Sequence, residues 1–176
     1  MRQSVSLITA YTEPGKNTSI RLTDCRNDGN LSGTAYGMGG ITGLVTLLEW
    51  NEGNLMEIDG CVNNGIVCHR ARGETSYLGG IAGNFMASAQ QGTIVLRDCI
   101  NGAKILYDAA GLEMPEDAEG INRSFGHGIV AGFHENGLIE NCVSTADVEV
   151  LNGDERWLIP ETQYKNPELT ASAGGN

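Results

Sequence analysis

Five cysteines, three histidines and two aspartates are the side chains of this 176-residue sequence that could do chemistry beyond packing. Cys25, Cys61, Cys99 and Cys142 recur at intervals of 36, 38 and 43 residues, and Cys68 stands outside the series. No two share the short Cys-x2-Cys spacing of a zinc site, so no metal and no cofactor is expected. His134-Glu135 begins a His-Glu-x-x-His motif but lacks its second histidine. His127 falls beside a turn and near the acidic stretch Glu113–Glu119, which reads as a solvated charged loop, with a cation or sugar site as the alternative. Asp24 and Asp98 each precede a cysteine of the series, with Arg21 and Arg97 read as a column beside them. Glycoside hydrolysis needs two carboxylates facing across a groove, and stacked two rungs apart these would lie roughly 9–10 Å from each other. Acidic residues at a corner also serve plain turn chemistry.

What must position these residues is a repeat. Aligned on the four cysteines, the chain gives columns: Leu22, Ile58, Leu96 and Ile139 three residues before; Asn27, Asn63, Asn101 and Ser144 two after. Ile20, Met56 and Ile94 stand five before, with Gly137 the exception, and Leu31, Val67, Ile105 and Val148 six after. The columns at minus five and minus three carry the period of a half-buried strand. Cysteine breaks that parity, so the chain turns a corner there, and the Asn and small residues that follow are read as supplying its tight conformations. A second strand follows. A third element closes each unit, as in Gly39-Gly40-Ile41-Thr42-Gly43 and Gly79-Gly80-Ile81-Ala82-Gly83, with Ile41/Ile81/Ile129 and Val45/Phe85/Phe133 stacked.

Three short strands per unit, none able to bury its face alone, predict a right-handed parallel β-helix of about three to four coils. Its units are 19–54, 55–92, 93–136 and 137–150. One strand over Ser4–Thr12 within 1–18 forms the N-terminal cap. Residues 151–176 form a C-terminal cap and flexible tail, with Arg156–Pro160 laid over the open end. Equivalent residues then stack roughly 4.8 Å apart, so Cys25, Cys61, Cys99 and Cys142 form an inward ladder of free thiols, leaving Cys68 as the candidate reactive one. Asn27, Asn63 and Asn101 form a second ladder.

Cys-x-Asn with a Gly-rich turn, followed by Gly-Gly-Ile-x-Gly, resembles the GLUG-type repeats of bacterial surface and adhesin-like proteins, found also beside immunoglobulin A-cleaving metallopeptidases. The resemblance covers roughly 19–150. It implies a β-helix-like module, extracellular placement at the cell surface, and display or adhesion rather than catalysis. The units here are longer than the usual form, and the 108–126 insert departs from it.

Composition narrows the partners. A formal charge of −11 excludes nucleic acid and anionic membrane surfaces as expected partners, because both require a basic footprint. No run of 18 apolar residues is present, so no membrane insertion is expected. The short apolar stretch Val5–Ala10 is too brief for a signal-peptide core, so the protein is expected to be either cytoplasmic or, the favoured reading, a piece of a longer, secreted parent. The expected function is a non-enzymatic surface module, either spacer or adhesion face, partnered by other domains of a larger protein and by host protein or glycan. Tyr36 and Tyr77, both just ahead of a Gly-Gly pair, are the candidate ligand-binding residues. The alternatives are a carbohydrate-active β-helix, lyase or glycoside hydrolase, and an accessory segment of a secreted peptidase.

Overall fold

The computed structural model describes residues 4–6, 8–12, 18–35, 37–47, 55–70, 77–87, 93–108, 130–132, 137–145 and 148–159. The described residues form short strands and their connections, with no helix among them. Strands β1 (Ser4–Val5) and β2 (Thr9–Thr12) come first. A five-strand series follows: β3 (Ser19–Thr23), β4 (Arg26–Asn27), β5 (Leu31–Gly33), β6 (Gly37–Gly39) and β7 (Thr42–Leu47). It repeats as β8 (Leu55–Asp59), β9 (Val62–Asn63), β10 (Val67–Arg70), β11 (Tyr77–Gly79) and β12 (Ala82–Ala87). The third pass gives β13 (Thr93–Arg97), β14 (Ile100–Asn101), β15 (Ile105–Asp108) and β16 (Val130–Gly132). The last gives β17 (Gly137–Glu140), β18 (Val143–Ser144) and β19 (Val148–Asn152), then a final strand β20 (Glu155–Ile159).

These strands pair into five sheets, ordered β1-β6-β11, β16-β12-β7-β2, β17-β13-β8-β3, β18-β14-β9-β4 and β20-β19-β15-β10-β5. Each sheet takes its strands from successive repeats, all parallel except β20 against β19. The register keeps the sequence columns in rows: Leu22, Ile58, Leu96 and Ile139 are paired in turn, as are Leu31, Val67, Ile105 and Val148. Two expectations are corrected here. A repeat holds five strands rather than three, because the Asn segment and the Gly37–Gly39 segment each form a separate face. Ser4–Thr12 is two strands rather than one, joined to the β6 and β7 sheets.

Alternation explains the strands. In β8, Met56 and Ile58 are buried while Leu55, Glu57 and Asp59 are half-buried. Met56, Ile58, Leu96, Ile41 and Ile81 are all 0% exposed and form one core with Cys61 and Cys99. Each such aliphatic side chain contributes about 1.5–3 kcal/mol through its removal from water.

The corner lies one residue earlier than the sequence reading placed it. Asp24, Gly60, Asp98 and Asn141 have φ of 53°, 62°, 52° and 52°. That left-handed conformation reverses the parity ahead of each cysteine, and Gly, Asn and Asp are the residues that enter it at least cost. At the far end, β20 covers the free edge of β19. It folds back through a Gly153–Asp154 turn and pairs antiparallel along β19, from Val148↔Ile159 to Asn152↔Glu155.

Candidate functional site

The residue types repeated most faithfully meet along the inside of the stack. Asn27 Nδ2 donates to Asn63 Oδ1 at 2.7 Å, Asn63 Nδ2 to Asn101 Oδ1 at 2.9 Å, and Asn101 Nδ2 to Ser144 Oγ at 3.0 Å. Asn63 and Asn101 are 0% exposed. Each carboxamide also closes its own turn: Asn27 Oδ1 accepts from Gly29 N at 2.9 Å, and Asn63 Nδ2 donates to Gly65 O at 3.0 Å. Buried amides of this kind must be fully bonded, and the row satisfies them. The same side chains account for the Gly-Gly motif. A Cβ on Gly80 would lie 2.1 Å from Asn101 Cγ, and one on Gly40 2.3 Å from Asn63 Oδ1. Cys-x-Asn and Gly-Gly-Ile are therefore two halves of one packing contact, made across the interior.

The thiols form the adjacent row. All five cysteines are free, with Cys61 and Cys99 buried and Cys25, Cys68 and Cys142 half-buried. Cys61 Sγ contacts Leu22 O at 3.4 Å and Cys99 Sγ contacts Ile58 O at 3.5 Å, each a carbonyl of the preceding repeat. Burial, with the Cys61 sulfur beside it, raises the Cys25 thiol above its ordinary value. Hydrogen bonding to Cys99, reinforced by burial, holds Cys61 far above that value. Hydrogen bonding to Cys142 pushes Cys99 up to about 12, and the same contact lowers Cys142. Neutral thiols in an apolar interior are packing groups and poor nucleophiles. Cys68 lies in register with Ser32 and Leu106, in neither the Cys nor the Asn row.

The outer face of the β8 sheet carries charge. Glu57 meets Arg21 Nε at 2.9 Å and Arg97 Nη1 at 3.4 Å, while Arg97 Nε meets Glu140 Oε2 at 2.9 Å. Arg21 and Arg97 do not share a row, which corrects the sequence reading: Arg21 pairs with Glu57, and Arg97 with Asp59 and Glu140. Both guanidiniums are thus engaged with glutamates rather than with Asp24 and Asp98. Those two aspartates are exposed and sit in the left-handed corner row. Among the described residues, no group of three or more His, Cys, Asp or Glu side chains is placed to hold a metal ion.

Two arrangements were not anticipated from sequence. His69 is 4% exposed, receives no help from solvent, and its Nε2 lies 3.0 Å from Ala35 O. Its ring stacks on Tyr107 with centroids 5.4 Å apart and planes 9° from parallel. Burial lowers its pKa, against a smaller upward pull from Ala35 O. Glu149, also buried, meets Lys104 Nζ, and Arg156 Nη2 at 2.5 Å. Burial alone would raise its pKa, but bonds from Lys104 and Arg156 hold it below the ordinary carboxylate range. The register shows the first, since His69 pairs with Tyr107, while Glu149 stands opposite Leu106 and Leu158 and reaches Lys104 and Arg156 diagonally; no motif signals either.

Tyr77 is in register with Gly37. Tyr36 lies outside the described residues, as do Ile129, Phe133, His127, Glu113–Glu119, His134 and Glu135. Val45 and Phe85 are backbone partners. No protein-family model matches the chain, and neither a curated protein nor a solved structure does.

Proposed function

We propose that the chain is a right-handed parallel β-helix acting as a non-catalytic repeat module, a rigid spacer or adhesion surface within a longer cell-surface protein. The observation that carries this reading is the Asn27–Asn63–Asn101–Ser144 hydrogen-bonded row, locked against Gly40 and Gly80. The residues that recur are consumed in stacking one repeat on the next. Right-handedness rests on the general chirality of parallel crossover connections. Extracellular placement, and host protein or glycan as partner, rest on the resemblance to GLUG-type surface repeats. Against the enzymatic alternative stands the left-handed conformation of Asp24 and Asp98, shared with Gly60 and Asn141, which gives these residues a turn role without chemistry.

The test is a panel of acidic and neutral polysaccharides incubated with the purified chain, with and without calcium, alongside a glycan-binding array. Binding without new chain ends supports the module reading. Cleavage that Asp24→Asn or Asp98→Asn abolishes replaces it with a carbohydrate-active enzyme.

A further inference from the structure

We propose that the two ends of the stack form a latent head-to-tail interface between copies of this chain, and that β20 is the stop that keeps it closed. The first support is the main chain. At every corner the N–H after the row cysteine donates to the previous cysteine: Val62 to Cys25 O at 2.8 Å, Ile100 to Cys61 O at 2.9 Å, Val143 to Cys99 O at 2.9 Å. The N–H after each row asparagine repeats the pattern, as in Asn64 to Asn27 O at 2.7 Å and Thr145 to Asn101 O at 2.8 Å. Left-handed residues bond the opposite way, Asp24 to Asp59 O at 2.9 Å and Asp98 to Glu140 O at 3.0 Å. The first row is thus left with Arg26 N–H, Asp28 N–H and Thr23 O, and the last with Cys142 O, Ser144 O and Asn141 N–H. None of these six has a main-chain partner among the described residues. They are the donors and acceptors of one further set of the same bonds.

Side chains agree with the main chain. The outer ion pairs run Arg21–Glu57–Arg97–Glu140, alternating in sign and crossing diagonally from the Arg21 row to the Arg97 row, with Arg21 64% exposed at one end and Glu140 41% exposed at the other. The next member of that series is a cation; in register a second copy sets Thr23 opposite Glu140 and Arg21 on the diagonal two residues away, within reach of a long side chain. Inside, Ser144 Oγ accepts from Asn101 and keeps its own proton to donate, while Asn27 begins the same row at the opposite end. Ile20, Leu22 and Cys25 are only partly buried, whereas their partners Met56, Ile58 and Cys61 are 0% exposed.

Among the described residues, one of the five faces is closed by an added strand. β20 pairs along β19 in the place that β5 of an added copy would take. Because only residues 28–30 join β4 to β5, β4 cannot dock on β18 without β5 arriving over β19. Glu149 on β19 fastens the stop through Arg156 on β20. Such a contact between unlike ends is heterologous, so it propagates into filaments rather than closing into a dimer.

The test uses the full chain with Trp157→Pro and Leu158→Pro, which strip backbone donors from β20. Analytical ultracentrifugation and negative-stain microscopy should show concentration-dependent linear oligomers, with wild type monomeric under the same conditions. Adding Arg26→Pro, which blocks a donor unused in the monomer, should return the protein to monomer and separates edge pairing from non-specific aggregation. Arg156→Glu, setting a carboxylate against Glu149, opens the same end by another route and decides the matter if the double proline variant does not fold. Monomers in both opened backgrounds, or oligomers indifferent to Arg26→Pro, would overturn the proposal.

Discussion

Asn63 and Asn101, 38 residues apart in the chain, share a buried 2.9 Å hydrogen bond from one carboxamide to the next. Neither amide has water to fall back on, so each depends on its neighbour in the row. Replacing Asn63 with Ala strands Asn27 Nδ2 and Asn101 Oδ1 together. The expected loss of stability is about 2–4 kcal/mol, read from the shift in denaturant midpoint. Asn64→Ala, one residue away and exposed, should cost about 0.5 kcal/mol or less. Equal effects at the two positions would mean that the row contributes nothing special.

The left-handed corner predicts opposite signs for two substitutions. Gly60→Ala introduces a side chain at φ 62°, with its Cβ 2.5 Å from Asp24 Oδ1, and should destabilise by about 1–2 kcal/mol. Asp98→Gly relieves the same conformation and should be neutral or stabilising by up to about 1 kcal/mol. Thermal melts of the two variants check both signs. A large loss from Asp98→Gly would point to a role for that carboxylate beyond the turn.

Thiol chemistry should divide the cysteines by position. Cys61 and Cys99 are 0% exposed and held protonated, so native-state alkylation should leave both unmodified while Cys68 and the end thiols react first. Raising the pH to about 9 should not recruit Cys61 or Cys99, since this stays below the value to which Cys99 is pushed. Peptide mapping by mass spectrometry gives the order. Rapid uniform labelling would contradict the arrangement of the core.

His69 supplies a pH dependence with a defined sign. Its folded pKa lies below the unfolded value of about 6.5, because burial disfavours the imidazolium. The unfolded chain therefore binds the proton more readily, and stability present above about 6.5 is lost as the pH falls through the folded pKa. Denaturation midpoints from pH 8 to pH 5 should decline for wild type. His69→Phe keeps a flat ring for Tyr107 to stack on and should flatten that decline. An unchanged slope would assign the effect to other groups.

Parts of this structure were legible in the sequence for a physical reason. In-register parallel pairing makes each row a repeated residue type, so aligning on cysteine also aligns Leu22 with Ile58 and Asn27 with Asn63. The strand count was not legible, because two-residue strands such as Arg26–Asn27 carry no periodicity to detect. The corner was misplaced by one position because the column Asp24, Gly60, Asp98, Asn141 looks like acidic chemistry until its φ values are known. The hidden partners Glu57, Glu149 and Tyr107 depend on register alone.

The direction of the hydrogen bonds carries a mechanical consequence. Because they run from one repeat to the next, tension between the chain ends pulls on the bonds of a terminal repeat before it loads the others. Extension should then proceed as peeling, one repeat at a time, rather than as a single rupture. The repeats are 36, 38 and 43 residues apart. Each release frees a length on the order of 130–150 Å. A tether built this way absorbs load in steps and can rewind onto the repeat that still stands.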